Sequence, residues 1–223
     1  MSKRAARLRK ATSLGEALNF DGLNTFMEAC VTGDLKTVSD RIDRNEFSRD
    51  LDLEAVVETG VHRGRTALVL AAQHGHQPIV GLLLARGADP ETVDNYGMTP
   101  LMHAAHQGHL SVLNELLFAN VIIDRVAFCG YSALLFAANG GHPGCARRLV
   151  ASGANVHART PGGRTALIIA SLNGHITTVR YFLQHTRLDP LAKDHEGYNA
   201  FHAAVAMKQS AIEGILREYG LAV

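Results

Sequence analysis

The dipeptide Gly-His recurs at residues 75–76, 108–109, 141–142 and 174–175, each copy 33 residues after the last. A strict period of that length marks a stacked array of small supersecondary units, none of which buries its apolar face alone. A second ladder runs in step: Gly64, Gly97, Gly130 and Gly163 keep the same 33-residue spacing, and Gly197 follows after 34. Two glycine ladders in one register do not arise by chance in an irregular fold. Arrays of this kind work by binding, so the period says what sort of device the chain is without naming its partner.

Residues 94–126 serve as a template for one unit. Asp94-Asn95-Tyr96-Gly97 reads as a turn, with Gly97 supplying a positive φ that a side chain resists by roughly 1–2 kcal/mol. Thr99 is placed as an N-cap, and Pro100 falls at the first helical position, where its missing N–H costs nothing. Leu101, Ala104 and Ala105 give the short helix a small apolar face, and Gly108 suits a left-handed C-cap. Leu110, Val112, Leu113, Leu116 and Leu117 then continue at helical spacing, giving a second helix antiparallel to the first and closed by Asn120.

This layout resembles the ankyrin repeat, whose pattern is a turn, T-P-L-H, A-A, G-H and a helix ending near G-A-D. The matching words are TALVLAAQHGH with ARGADP at 66–90, TPLMHAAHQGH at 99–109, SALLFAANGGH with ASGANV at 132–156, and TALIIASLNGH at 165–175. The resemblance covers the chain from about residue 20 onward. It implies an all-α solenoid of helix pairs with short β-hairpin fingers: four full repeats at 61–93, 94–126, 127–159 and 160–193, between an N-terminal capping repeat at 20–42 and a C-terminal one at 194–223. In the first cap Glu28 takes an interior apolar position and Gly33-Asp34 replaces Gly-His; in the last, Lys208-Gln209 does so, and Glu213 and Arg217 fall in the final helix. Gly22 to Gly64 spans 42 residues, which places an acidic loop insertion at about 43–60.

Composition fits a folded chain of the cytoplasm, the nucleus or both. The chain has no Trp and is 47% hydrophobic, so the core must be built from Leu, Ala, Val and Ile, which suits closely stacked helices. No apolar run approaches the ~20 residues of a membrane helix, and the N-terminus lacks a secretory signal's apolar stretch. Cys30, Cys129 and Cys145 are odd in number and show no C-x-x-C spacing, which is neither a disulfide framework nor a zinc set. Residues 1–19 form a basic tail expected to be disordered, with Lys3, Arg4, Arg7, Arg9 and Lys10 as a candidate import signal; beyond them the chain is mildly acidic. Nucleic-acid binding is not expected, because an array serving that purpose carries its positive charge along a folded face.

No cofactor, metal or catalytic residue is expected. H-E-x-x-H, G-x-S-x-G and the P-loop are absent, and Asn139-Gly140-Gly141-His142 is explained by the period rather than by phosphate. His76, His109, His142 and His175 belong one to each unit, where a ring nitrogen can bond backbone carbonyls at a tight turn. His103-x-x-His106-x-x-His109 comes nearest to a ligand pattern, but no acid or Cys completes a tetrahedral set, and a buried, hydrogen-bonded His103 is expected instead.

Recognition must then fall to the positions that differ between units: the residues flanking the turn glycine and those before Gly-His. Arg63, Arg65, Gln73 and His74 represent the first repeat, and Asn95, Tyr96, Met98, His106 and Gln107 the second. Phe128, Tyr131 and Asn139 come from the third, Arg164 from the fourth and Tyr198 from the last. Tyr96, Phe128, Tyr131 and Tyr198 are expected to face water, with the arginines at the rim, as in protein-binding hot spots. The expected function is a monomeric, non-enzymatic scaffold or adaptor for a protein or peptide, with an acidic segment as one candidate partner and no membrane contact. The alternatives are a nuclear regulatory cofactor and a pathogen effector using the same surface.

Overall fold

The structure, a computed structural model, describes residues 20–43, 56 and 64–222. The basic tail with its import-signal residues Lys3, Arg4, Arg7, Arg9 and Lys10, nearly all of the 43–60 insertion, and Arg63 lie outside the described residues. Among the described residues twelve helices follow one another in pairs. Those of the inner layer are α1 (Phe20–Thr32), α3 (Ala67–Gln73), α5 (Pro100–Gln107), α7 (Ala133–Gly140), α9 (Ala166–Leu172) and α11 (Ala200–Ala206). Those of the outer layer are α2 (Leu35–Asp43), α4 (Gln77–Ala85), α6 (Leu110–Phe118), α8 (Pro143–Ala151), α10 (Ile176–His185) and α12 (Ser210–Glu218). Each helix packs against its own partner and against its counterparts in the units before and after.

The inner helices begin where the sequence places them. Thr66, Thr99 and Thr165 accept a hydrogen bond from the backbone N–H three residues on, at 3.3, 3.3 and 3.4 Å, and Asn199 does the same for His202 at 3.0 Å. Ser132 has the capping position and the extended backbone but makes no such bond. Gly108 ends α5 at φ 79°, and Asn120 takes the left-handed conformation at φ 56°. Leu68, Leu101, Leu134 and Leu167 with the alanine pairs fill the inner layer, while Val80, Leu83, Val112, Leu116, Leu149, Val179 and Phe182 fill the outer one at 0% exposure. One apolar cluster runs unbroken from Phe26 to Leu221.

The histidine ladder turns out to join units rather than to close turns within them. His76, His109 and His175 each donate from Nε2 to a carbonyl of the preceding unit: Val31 at 2.8 Å, Gln73 at 2.9 Å and Asn139 at 2.9 Å. The ring lies flat over the preceding C-cap glycine, so that a Cβ on Gly75 would come within 2.6 Å of His109. Gln209 takes the same place over Gly174 in the last pair.

The fingers are plainer than the expected β-hairpins. Among the described residues there is no strand, only two isolated antiparallel bridges, Val126 with Ser132 and Arg159 with Thr165. Each finger is held by two bonds of one pattern: Asp94 N to Met98 O (3.1 Å) with Gly97 N to Asp94 O (3.0 Å), repeated at 127–131, 160–164 and 194–198.

Candidate partner-binding surface

Between the last finger and the inner helices α9 and α11 lies an open groove lined by side chains of both. Tyr96 and Phe128, on the fingers that precede it, are exposed at 66% and 80%. Phe128 is nonetheless fixed: its N–H donates to Tyr96 O at 3.0 Å, and its ring covers Gly97 so closely that a Cβ there would sit 2.7 Å away. Asn95 covers Gly64 in the same manner, and Met98 is half-buried against the core. Tyr198, at 51% exposure, has its ring 5.8 Å from that of His202.

Tyr131 departs from the expectation that it faces water. Its ring packs 5.3 Å from Phe136, and burial pushes its hydroxyl above the ordinary tyrosine value. Position 136 is Phe where the neighbouring units have His103 and Ile169, and the larger ring draws the tyrosine down onto it.

The arginines at the rim are also not free. Arg65 Nε lies 3.6 Å from Asp94 Oδ2, and its side chain is only 14% exposed. Arg164 Nε lies 3.5 Å from Asp194 Oδ2. Both aspartates are buried, and both fold their own finger: Asp94 Oδ1 accepts from Tyr96 N and Met98 N at 2.9 and 3.0 Å, and Asp194 Oδ1 from Glu196 N and Tyr198 N at 3.0 and 2.9 Å. The second oxygen of Asp94 receives His103 Nε2 at 3.0 Å, so His103 is the buried, hydrogen-bonded imidazole the sequence implies. Burial pushes the Asp94 carboxyl up, but the bonds from His103, Met98 and Tyr96 outweigh it and hold it below its ordinary 3.8. An arginine of one finger thus clamps an aspartate of the next, and the Asp-x-x-Gly at 94–97 and 194–197 is the sequence trace of that clamp.

Along the inner helix ends the candidates engage one another. Asn139 Nδ2 donates to His106 Nε2 at 3.2 Å, and Asn173 Nδ2 donates to Asn139 Oδ1 at 3.0 Å. Burial, aided by the charges of His103 and His142, holds His106 below its ordinary 6.5, which suits a ring nitrogen that accepts. Gln107 and His74 are exposed, with the His74 ring stacked 6.3 Å from His76. Gln73 is half-buried, and its Oε1 has no partner. The three histidines of the H-x-x-H-x-x-H run therefore serve three separate partners: Asp94, Asn139 and the Gln73 carbonyl.

Two shallow hollows open at the C-terminal part of the groove, of about 290 and 240 Å³. They share Arg164, Asp194 and Glu196; the first reaches to Tyr131 and Pro161 and the second to Leu172 and Tyr198. Pro161, which lines the first hollow, escaped the sequence reading of the interface. Neither hollow is enclosed, and among the described residues no three His, Cys, Asp or Glu side chains converge to hold a metal.

The family model for ankyrin repeats (3 copies) matches residues 26–127 and 134–222. No curated protein matches the chain. Ankyrin repeats mediate protein–protein interaction and are typically non-enzymatic modules. The period, the helix pairs and the family match converge: this chain belongs to the ankyrin-repeat family.

Proposed function

We propose that this protein is a scaffold or adaptor that holds a segment of a partner protein in the groove between its fingers and inner helices. The observation that carries this reading is the pair Tyr96 and Phe128, two rings more than half exposed on adjacent fingers, with the Phe128 ring ordered over Gly97. Rings already ordered lose little freedom on binding, which is what makes them effective anchors. With Arg65 and Arg164 paired to Asp94 and Asp194, the groove offers little free charge to an acidic ligand. A largely uncharged segment with apolar anchors suits it better, seated between Phe128 and the hollows beside Arg164.

The test is a Tyr96→Ala, Phe128→Ala double variant, titrated against a protein captured by the wild type from native extract. Affinity should fall by about 2 kcal/mol or more, the scale of a hot spot, with the thermal melt unchanged. Undiminished affinity would place the interface elsewhere.

A further inference from the structure

From Arg125 to Leu188 the chain contains seven arginines, no lysine and no carboxylate. Four of these arginines have partners. Arg125 pairs with Glu91 at 2.8 Å, and Arg164 with Asp194 at 3.5 Å. Arg148 donates to Asn114 Oδ1 at 2.6 Å, and Arg159 to the carbonyls of Gly163 and Lys193 at 2.9 and 2.8 Å. The remaining three, Arg147, Arg180 and Arg187, are exposed, and among the described residues none has a carboxylate within ion-pair distance.

Arg147 and Arg180 occupy the same position, 33 residues apart, on the adjacent outer helices α8 and α10. That sets them side by side at roughly 10 Å, the usual interaxial distance. Arg147 also lies close enough to Tyr181 for its charge to oppose the upward push that burial gives that hydroxyl. Arg187 follows the end of α10. Two carboxylates on the neighbouring helices have other partners: Glu115 on α6 accepts from Gln77 at 3.0 Å, and Glu213 on α12 holds Arg217 at 2.7 Å; Asp189, two residues past Arg187, accepts from Leu191 N at 3.0 Å.

We infer that the outer face of α8 and α10 is a second docking surface, distinct from the groove, and that it takes an acidic peptide segment of a partner protein. Charge complementarity carries the assignment, since two adjacent exposed arginines with no carboxylate within ion-pair distance favour an anion. The rest of the face selects which anion. A single-stranded nucleic acid would need exposed rings to stack on, whereas Tyr181 and Phe182, the aromatic residues of these two helices, are buried at 6% and 0% exposure. A bilayer would need apolar side chains to insert, and Ile176 at 39% is the one large apolar side chain exposed on them. An extended peptide rises about 3.3 Å per residue, so carboxylates three residues apart match the arginine spacing.

The experiment titrates the full chain with a labelled Glu-Gly-Ser repeat peptide, followed by fluorescence anisotropy at low and moderate salt. Reversing the charge in an Arg147→Glu, Arg180→Glu double variant should weaken binding about tenfold, the sum expected of two exposed ion pairs turned repulsive. Replacing Lys3, Arg4, Arg7, Arg9 and Lys10 by alanine should leave it within about twofold, since a tail-borne affinity would be lost in that variant instead. An Arg147→Gln, Arg180→Gln variant gives an intermediate value and guards against misfolding of the reversed pair. The inference is overturned if the peptide does not bind, if binding follows the tail, or if the arginine pair can be reversed without effect. It is equally overturned if oligouridylate, or vesicles of phosphatidylcholine and phosphatidylserine, bind more tightly than the peptide through the same two arginines.

Discussion

Asp94 does more for this molecule than any residue at the finger tips. Its two oxygens accept from two backbone N–H groups, an imidazole and, at longer range, the guanidinium of the preceding finger, all at 1% side-chain exposure. An alanine there removes the carboxylate that a buried His103 bonds and that a nearly buried Arg65 faces, and urea melts should show a loss of about 3 kcal/mol. In the sequence Asp94 reads only as a turn former, because the arginine that clamps it is a unit away and no local pattern joins them. The same blindness made Arg65 and Arg164 look like free rim charges. His106 yields a second expectation at this scale. Its neutral form is favoured in the folded chain, so the unfolded chain binds more protons in acid, and stability is full above 6.5 and declines as pH falls below it. Substituting glutamine for His106 should flatten that decline below pH 6.5; His142, also held low by burial, keeps part of the slope. An unaltered pH profile would mean that His106 does not stay neutral on folding.

At the scale of the element, caps and periods were legible because they are local. Threonine before an apolar run, proline at the first turn and glycine after the last each act within four residues, and the helices α3, α5 and α9 start where those signals stand. Ser132 shows the limit: it has the right chemistry and backbone, yet its hydroxyl is buried without a partner. The Gly-His word was legible as a repeat but not as a joint, since its two halves act in different places. The glycine receives a ring from the unit that follows, and the histidine bonds the unit that precedes it. His109→Ala should therefore cost about 1–2 kcal/mol through one lost bond and an uncovered turn. Hydrogen exchange should quicken at the end of α3 and not only in α6. Exchange altered in α6 alone would make the histidine a cap of its own helix and nothing more.

Over the whole molecule, the joint between units also sets the last described pair apart from the others. Gly33, Gly75, Gly108, Gly141 and Gly174 are all left-handed, and the next unit's His or Gln lies on each of them. At the equivalent place in the last pair stands Lys208, left-handed at φ 56°, carrying the Cβ that the other five positions cannot accommodate. A helix pair stacked here in the same register would put its ring where that Cβ lies. The sequence shows Lys208-Gln209 replacing Gly-His, and from it alone the pair reads as a loss of pattern. In the structure Gln209 keeps the inward joint by covering Gly174, while Lys208 spoils the outward one. Two substitutions separate these roles. Lys208→Gly removes a left-handed side chain from an exposed site, so it should stabilise the chain by about 1 kcal/mol. Gly75→Ala imposes the same backbone strain and also drives a Cβ to 2.6 Å from His109, so it should destabilise by more than the ~1–2 kcal/mol of the conformation alone. Equal and opposite changes in paired urea melts would reduce both effects to backbone conformation, and the stacking joint would then carry no part of the asymmetry between the middle of the array and its last pair.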